Sequence, residues 1–245
     1  MTNEVRGEPR SWWMLYLDAL TFLSPGVLIG ALCGGLIGGV GGRLAMLVLR
    51  VTSDDSLHGM ETDDDFTIGS FTGATVFLVL LTIFAGAVGG LIYIGVREWL
   101  PARWRPILFA LLGATVGGSL VIRPEGIDFT LLEPLWLAVA MFVVLPAAYG
   151  VALSVLTERL VQSTGFWRSR WRWAAAVVVL LAVLPAGPFG VPFLLLLGFA
   201  IAANRSGHVT RLWRSAPAIW VGRGAFALVV AVSSVFLVSD VLAVL

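Results

Sequence analysis

The sequence predicts an all-α fold, a polytopic transmembrane helix bundle, and three observations predict it. First, 58% of the 245 residues are hydrophobic and only 13% are charged, with a mean hydropathy of +0.94. A soluble domain is about half apolar and a quarter charged, so one core of this size cannot hide the excess. Second, the apolar residues fall in runs long enough to cross a hydrocarbon layer, which is about 30 Å thick and takes about 20 helical residues. Third, arginines gather at alternate ends of those runs and acids at the others, as membrane topology requires.

Taken in order, the runs place spans at about 26–49, 71–96, 104–122 and 134–157, and a last one at about 217–243. Between these lies an apolar stretch, 173–203, too long for one simple span. It is interrupted by Pro185, Gly187, Pro188, Gly190 and Pro192. Proline removes a donor and clashes with the preceding turn, so a continuous helix is disfavoured there. Arg168, Arg170 and Arg172 precede the stretch, and Arg205, Arg211 and Arg214 follow it. A hairpin over 173–187 and 189–203 puts both clusters on one side, whereas one kinked span would separate them. The reading is therefore about seven spans, with six as the alternative.

With the N-terminus inside and the C-terminus outside, most arginines fall inside, and Arg43, Arg50 and Arg123 remain in the outer half. The acids from Asp54 to Asp65, with Glu125, Asp128, Glu133 and Asp240, fall outside. All tryptophans but Trp136 fall near inner helix ends, where an apolar ring with a polar N–H is at home. Residues 1–24 read as a cytoplasmic tail and an interfacial helix, and 25–245 as a single transmembrane domain. Trp12, Trp13, Tyr16, Ala19, Leu20 and Leu23 share one face of that helix, which Pro25 should end. A plain inward extension of the first span is the alternative. Asp65-Phe66-Thr67 and Asp128-Phe129-Thr130 each precede a span that ends near an Arg/Glu pair, Arg97-Glu98 and Glu158-Arg159. The pattern fits either an internal repeat or ordinary N-terminal capping.

Composition also removes function classes. A net charge of +1 gives no case for a nucleic-acid partner. No lysine occurs, which excludes a lysine Schiff base. Cys33 is the only cysteine, so no intrachain disulfide forms. His58 and His208 are too few and too far apart for a metal or haem site, and no cofactor is expected. Hydrolase, metalloprotease and phosphate-loop motifs are absent, and span centres offer mainly hydroxyls such as Thr75, Thr82, Thr115, Ser119 and Ser154.

Two features remain as candidate sites. Gly30, Gly34, Gly38 and Gly42 recur every four residues from Gly26, giving one helix face without side chains, against which another helix can close. Arg43 lies inside the outer half of its span, where a charge is costly unless paired. Asp63, Asp64, Asp65 and Asp128 lie on the same side and could pair with it, and Arg123 joins this outer polar set. The acidic loop lacks calcium-loop spacing, so no metal is assigned to it.

The run Gly42-Arg43-Leu44-Ala45-Met46, with Glu61-Thr62-Asp63-Asp64 and Phe66-Thr67-Ile68-Gly69 after it, resembles multi-spanning membrane proteins of high-GC Gram-positive bacteria. The resemblance covers about the first hundred residues and implies no activity. The expected protein sits in a bacterial cytoplasmic membrane, with the lipid bilayer and a second copy or a membrane-complex partner as its contacts. It reads as a non-enzymatic accessory or assembly subunit packing through glycine faces. The alternative is a small channel or transporter with Arg43 and the outer acids at its mouth, and the third reading is an enzyme acting on a lipid-linked substrate.

Overall fold

A computed structural model describes residues 11–52, 73–122, 134–162, 172–183 and 208–244. Every element among them is helical. Helix α1 (Trp12–Cys33) runs through a π-helical segment, π1 (Gly34–Gly41), into α2 (Gly42–Thr52). Then come α3 (Gly73–Val96), a 3-10 turn (Ala102–Trp104), α4 (Arg105–Leu112), π2 (Gly113–Gly117) and α5 (Gly118–Val121). The remainder is α6 (Leu135–Gln162), α7 (Arg172–Val183), α8 (His208–Trp213) and α9 (Ala216–Val244). Five rods among the described residues are long and apolar enough to cross a membrane. Their outward side chains are apolar too: Leu36, Leu44, Leu120, Leu228 and Val235 are exposed, as lipid-facing residues would be.

Pro25 does not end the first helix as the sequence reading expected. The rod from Trp12 to Leu49 is continuous over 38 residues, with Pro25 inside α1. Proline deprives the carbonyl four residues back, that of Thr21, of its amide donor. Ser24 replaces that donor, since its hydroxyl donates to the Thr21 carbonyl at 2.9 Å. Both residues are buried, and a hydroxyl that re-satisfies a freed carbonyl is what keeps a proline tolerable in an apolar layer. The segment before Pro25 is also part of the bundle, because Leu17 and Leu20 pack with Val27, Ala87 and Val179.

Helices α1 and α3 are antiparallel and meet at backbone distance. A Cβ built on Gly26 would strike the Gly90 carbonyl, and one on Gly30 the Gly86 carbonyl. One on Gly34 would lie 2.9 Å from the Gly86 Cα, and one on Gly38 would lie 3.2 Å from the Thr82 Cβ. Gly42 is different, with nothing within 4 Å of its built Cβ. The second pair, α4 with α6, is built alike: Gly113 faces the Pro146 carbonyl, Gly117 the Pro146 ring, and Gly150 the Phe109 carbonyl. Without hydrophobic driving force between helices in lipid, such close van der Waals contact is what holds them.

Helices α3 and α6 run parallel and are joined by two tyrosines. Tyr149 Oη donates to the Gly86 carbonyl at 2.7 Å, and Gly89 leaves room for its ring. Tyr93 Oη lies 3.2 Å from Ser154 Oγ. One end of the bundle therefore collects the start of α1, the end of α3, the start of α4 and the end of α6. Trp173 stands 5.8 Å from Trp13 at this end, and Trp213 stands 4.4 Å from Trp99, ring centroid to centroid. The proline-rich part of 173–203 lies outside the described residues, as does the turn expected near Pro188.

Candidate functional site

The most organised polar groups lie at this arginine-rich end. Tyr93 and Arg97 sit one turn apart at the close of α3, and Ser154 and Glu158 one turn apart near the close of α6. That spacing puts each pair on one helix face. The two faces meet on Glu158 Oε1, which accepts from Tyr93 Oη at 2.7 Å, Arg105 Nη1 at 2.8 Å and Arg97 Nη1 at 3.4 Å. Because the Tyr93 proton goes to Glu158, Ser154 Oγ supplies its own hydrogen to the tyrosine oxygen. The Tyr93 ring is fully buried and edge-on to Phe109, 4.7 Å away at 75°. Arg105 is steadied further by Nε donating to the Leu100 carbonyl at 3.3 Å.

Beside this knot is a second clasp. Arg214, just before α9, forks onto Glu98 with Nε–Oε2 2.9 Å and Nη2–Oε1 2.8 Å. The hydrogen bond from Arg214 holds the Glu98 carboxyl below its ordinary range, against the opposing effect of burial. The same bond raises the Arg214 guanidinium. Trp213 Nε1 donates to the Gly95 carbonyl at 3.2 Å, and Trp99 Nε1 to the Trp213 carbonyl at 3.4 Å.

No family model, curated protein or solved structure matches the chain. Its chemistry is therefore argued from geometry alone. Three donors converge on Glu158 Oε1, and the knot ties the ends of α3 and α6 and the start of α4 at one point. Among the described residues no group of three or more His, Cys, Asp or Glu side chains could hold a metal ion.

The sequence-derived sites fare unevenly. Gly30, Gly34 and Gly38 all face α3, whereas Gly42 is buried with nothing within 4 Å of its built Cβ. Arg43 opens α2 half-buried, with Nη1 4.0 Å from Met46 Sδ. Asp63, Asp64, Asp65, Arg123 and Asp128 lie outside the described residues. The Tyr93–Glu158 knot was missed. Along the sequence, Arg97 adjoins Glu98 and Glu158 adjoins Arg159, each within its own helix end. The structure instead pairs Arg97 with Glu158, and Glu98 with Arg214. The available signal was the one-turn spacing of Tyr93 with Arg97 and of Ser154 with Glu158.

Proposed function

We propose that this chain is a non-catalytic accessory or assembly subunit of a bacterial cytoplasmic membrane, crossing it seven times with the N-terminus inside and the C-terminus outside. The observation that carries the reading is that the two glutamates of the arginine-rich end, Glu158 and Glu98, bind neighbouring arginines and tie helix ends together. Glu158 takes Tyr93, Arg97 and Arg105 on Oε1, and Glu98 takes Arg214 on both oxygens. Seven spans are supported by where 173–208 enters and leaves. Trp173 beside Trp13 and Trp213 beside Trp99 put both ends of that stretch on one side, which asks for an even number of crossings. The Gly26–Gly38 face is occupied by α3 of the same chain, so a second copy or a partner would dock elsewhere.

The test is native purification of the full chain from its membrane, followed by mass measurement of the intact particle. A stoichiometric second membrane protein, or a defined homo-oligomer, is expected. A monomer that carries solute into proteoliposomes would overturn the reading.

One observation favours a channel or transporter instead. Both π segments sit against the same point of α6: a Cβ on Gly41 of π1 would lie 3.0 Å from Leu145 Cδ2, and Gly113 of π2 faces the Pro146 carbonyl. Paired irregular segments in corresponding helices are where transporters place their sites. Flux through proteoliposomes that Gly113→Leu abolishes would favour this second reading.

A further inference from the structure

Arg223 is the one arginine on α9 of the arginine-rich end, and both glutamates there are taken by other arginines. It lies about 10 Å along α9 from its first residue, Ala216, at the helical rise per residue. A charge carried into a spanning helix is costly unless an anion or water meets it. Among the described residues no carboxylate pairs with Arg223. It is nevertheless held in place. Its Nε donates to the Trp99 carbonyl at 2.7 Å, and its guanidinium carbon lies 5.5 Å from the centre of the Trp220 ring. Gly222, next in the chain, lets the Trp99 ring press directly on α9. The clamp takes one of the five donors of a guanidinium and leaves the two terminal nitrogens, a planar fork that matches two oxygens of a phosphate. Trp220 is 69% exposed on the outside of the bundle, and Trp99, Trp104 and Trp213 share its end, the depth at which tryptophan meets headgroups.

We propose that Arg223 binds the phosphate of a phospholipid in the adjoining leaflet, with Trp220 packed against the same lipid. This rests on the membrane reading above, which makes this layer the headgroup layer. Arginines outnumber carboxylates at this end, which favours an anionic headgroup over a zwitterionic one. The fork is pre-oriented by the Trp99 carbonyl, so Arg223 differs from a surface arginine that merely adds charge.

The experiment compares the full-length protein with Arg223→Gln and Arg103→Gln in nanodiscs mixing phosphatidylglycerol and phosphatidylcholine, reading lipids retained after gentle extraction by native mass spectrometry. Wild type should retain phosphatidylglycerol at least about tenfold more tightly than Arg223→Gln, as loss of an oriented hydrogen bond to a charged group implies. Arg103→Gln, which removes an exposed charge nearby, should behave as wild type. Equal retention by wild type and Arg223→Gln, or an equal loss in Arg103→Gln, would overturn the site. Displacement of the lipid by millimolar inorganic phosphate would also overturn it, since an open anion site needs no lipid. Should Arg223→Gln fail to fold, Trp220→Ala keeps the charge and removes the packing, and retention unchanged in that variant sinks the proposal. Failure of the membrane reading is separate, because wild type would then not enter nanodiscs at all.

Discussion

The seam between α1 and α3 and the polar knot at the arginine-rich end hold helices together by opposite means. In the seam nothing projects: Gly26, Gly30 and Gly34 bring backbone against Gly90, Gly86 and Thr82. In the knot, long side chains from the ends of two helices converge on one carboxylate oxygen of a third. A seam of glycines has no freedom to adapt, because the obstacle to any added atom is backbone. A knot of side chains can rearrange, and water at the membrane surface can stand in for a lost partner. The middle of the bundle should therefore be far less tolerant of substitution than its end.

The sharpest way to break that comparison is Gly30→Leu. The new side chain meets the Gly86 carbonyl, and overpacking without room to shift should cost about 3 kcal/mol or more, enough to abolish folded protein. Gly42→Ala, on the same periodic face but with nothing within 4 Å of its added Cβ, should stay within about 0.5 kcal/mol of wild type. Denaturant titration in mixed micelles measures both, and equal losses would mean that glycine spacing, not contact, decides. Glu158→Gln comes next. It leaves Arg97 and Arg105 facing a neutral amide, for an expected loss of about 1–3 kcal/mol. Removing Arg97 as well should recover part of it, and a full loss in the double variant would dissolve the knot as a unit.

The smallest effect belongs to Glu98 and Arg214. The arginine's hydrogen bond depresses the Glu98 carboxyl, so the pair's contribution is complete above the unfolded-state carboxylate pKa and falls away as pH drops through the lower folded value. Arg214 shifts the other way, so its share is lost only as pH rises past the arginine range. Arg214 is 62% exposed, which keeps the pair near 0.2–1 kcal/mol and sensitive to salt. Unfolding free energy followed from neutral to acid pH should lose that part in wild type and not in Arg214→Gln. Parallel curves would show the fork to be stabilising nothing.

What could be read from the sequence was what repeats along a single chain. Runs of apolar residues gave the spans at 71–96, 104–122, 134–157 and 217–243 to within a few residues, the largest difference being α6, which continues to Gln162. The helix runs on past the apolar run because Glu158, Arg159 and Gln162 are good helix formers whether or not they lie in the apolar layer. Pro25 misled because its usual consequence was cancelled by its neighbour Ser24. The knot was hidden because its members lie 53 to 65 residues apart in sequence. The Asp-Phe-Thr runs at Asp65 and Asp128 lie outside the described residues, so the choice between repeat and capping rests on the sequence alone.

The bond between Ser24 and the Thr21 carbonyl has a genetic consequence. The hydroxyl covers a carbonyl that Pro25 leaves without its amide, so the two positions are not free to drift separately. Ser24→Ala should be harmful beside Pro25 and close to silent in a Pro25→Ala background, a case of sign-preserving epistasis between adjacent codons. A lineage could discard the proline first and the serine later, but not in the reverse order without passing through a weakened protein.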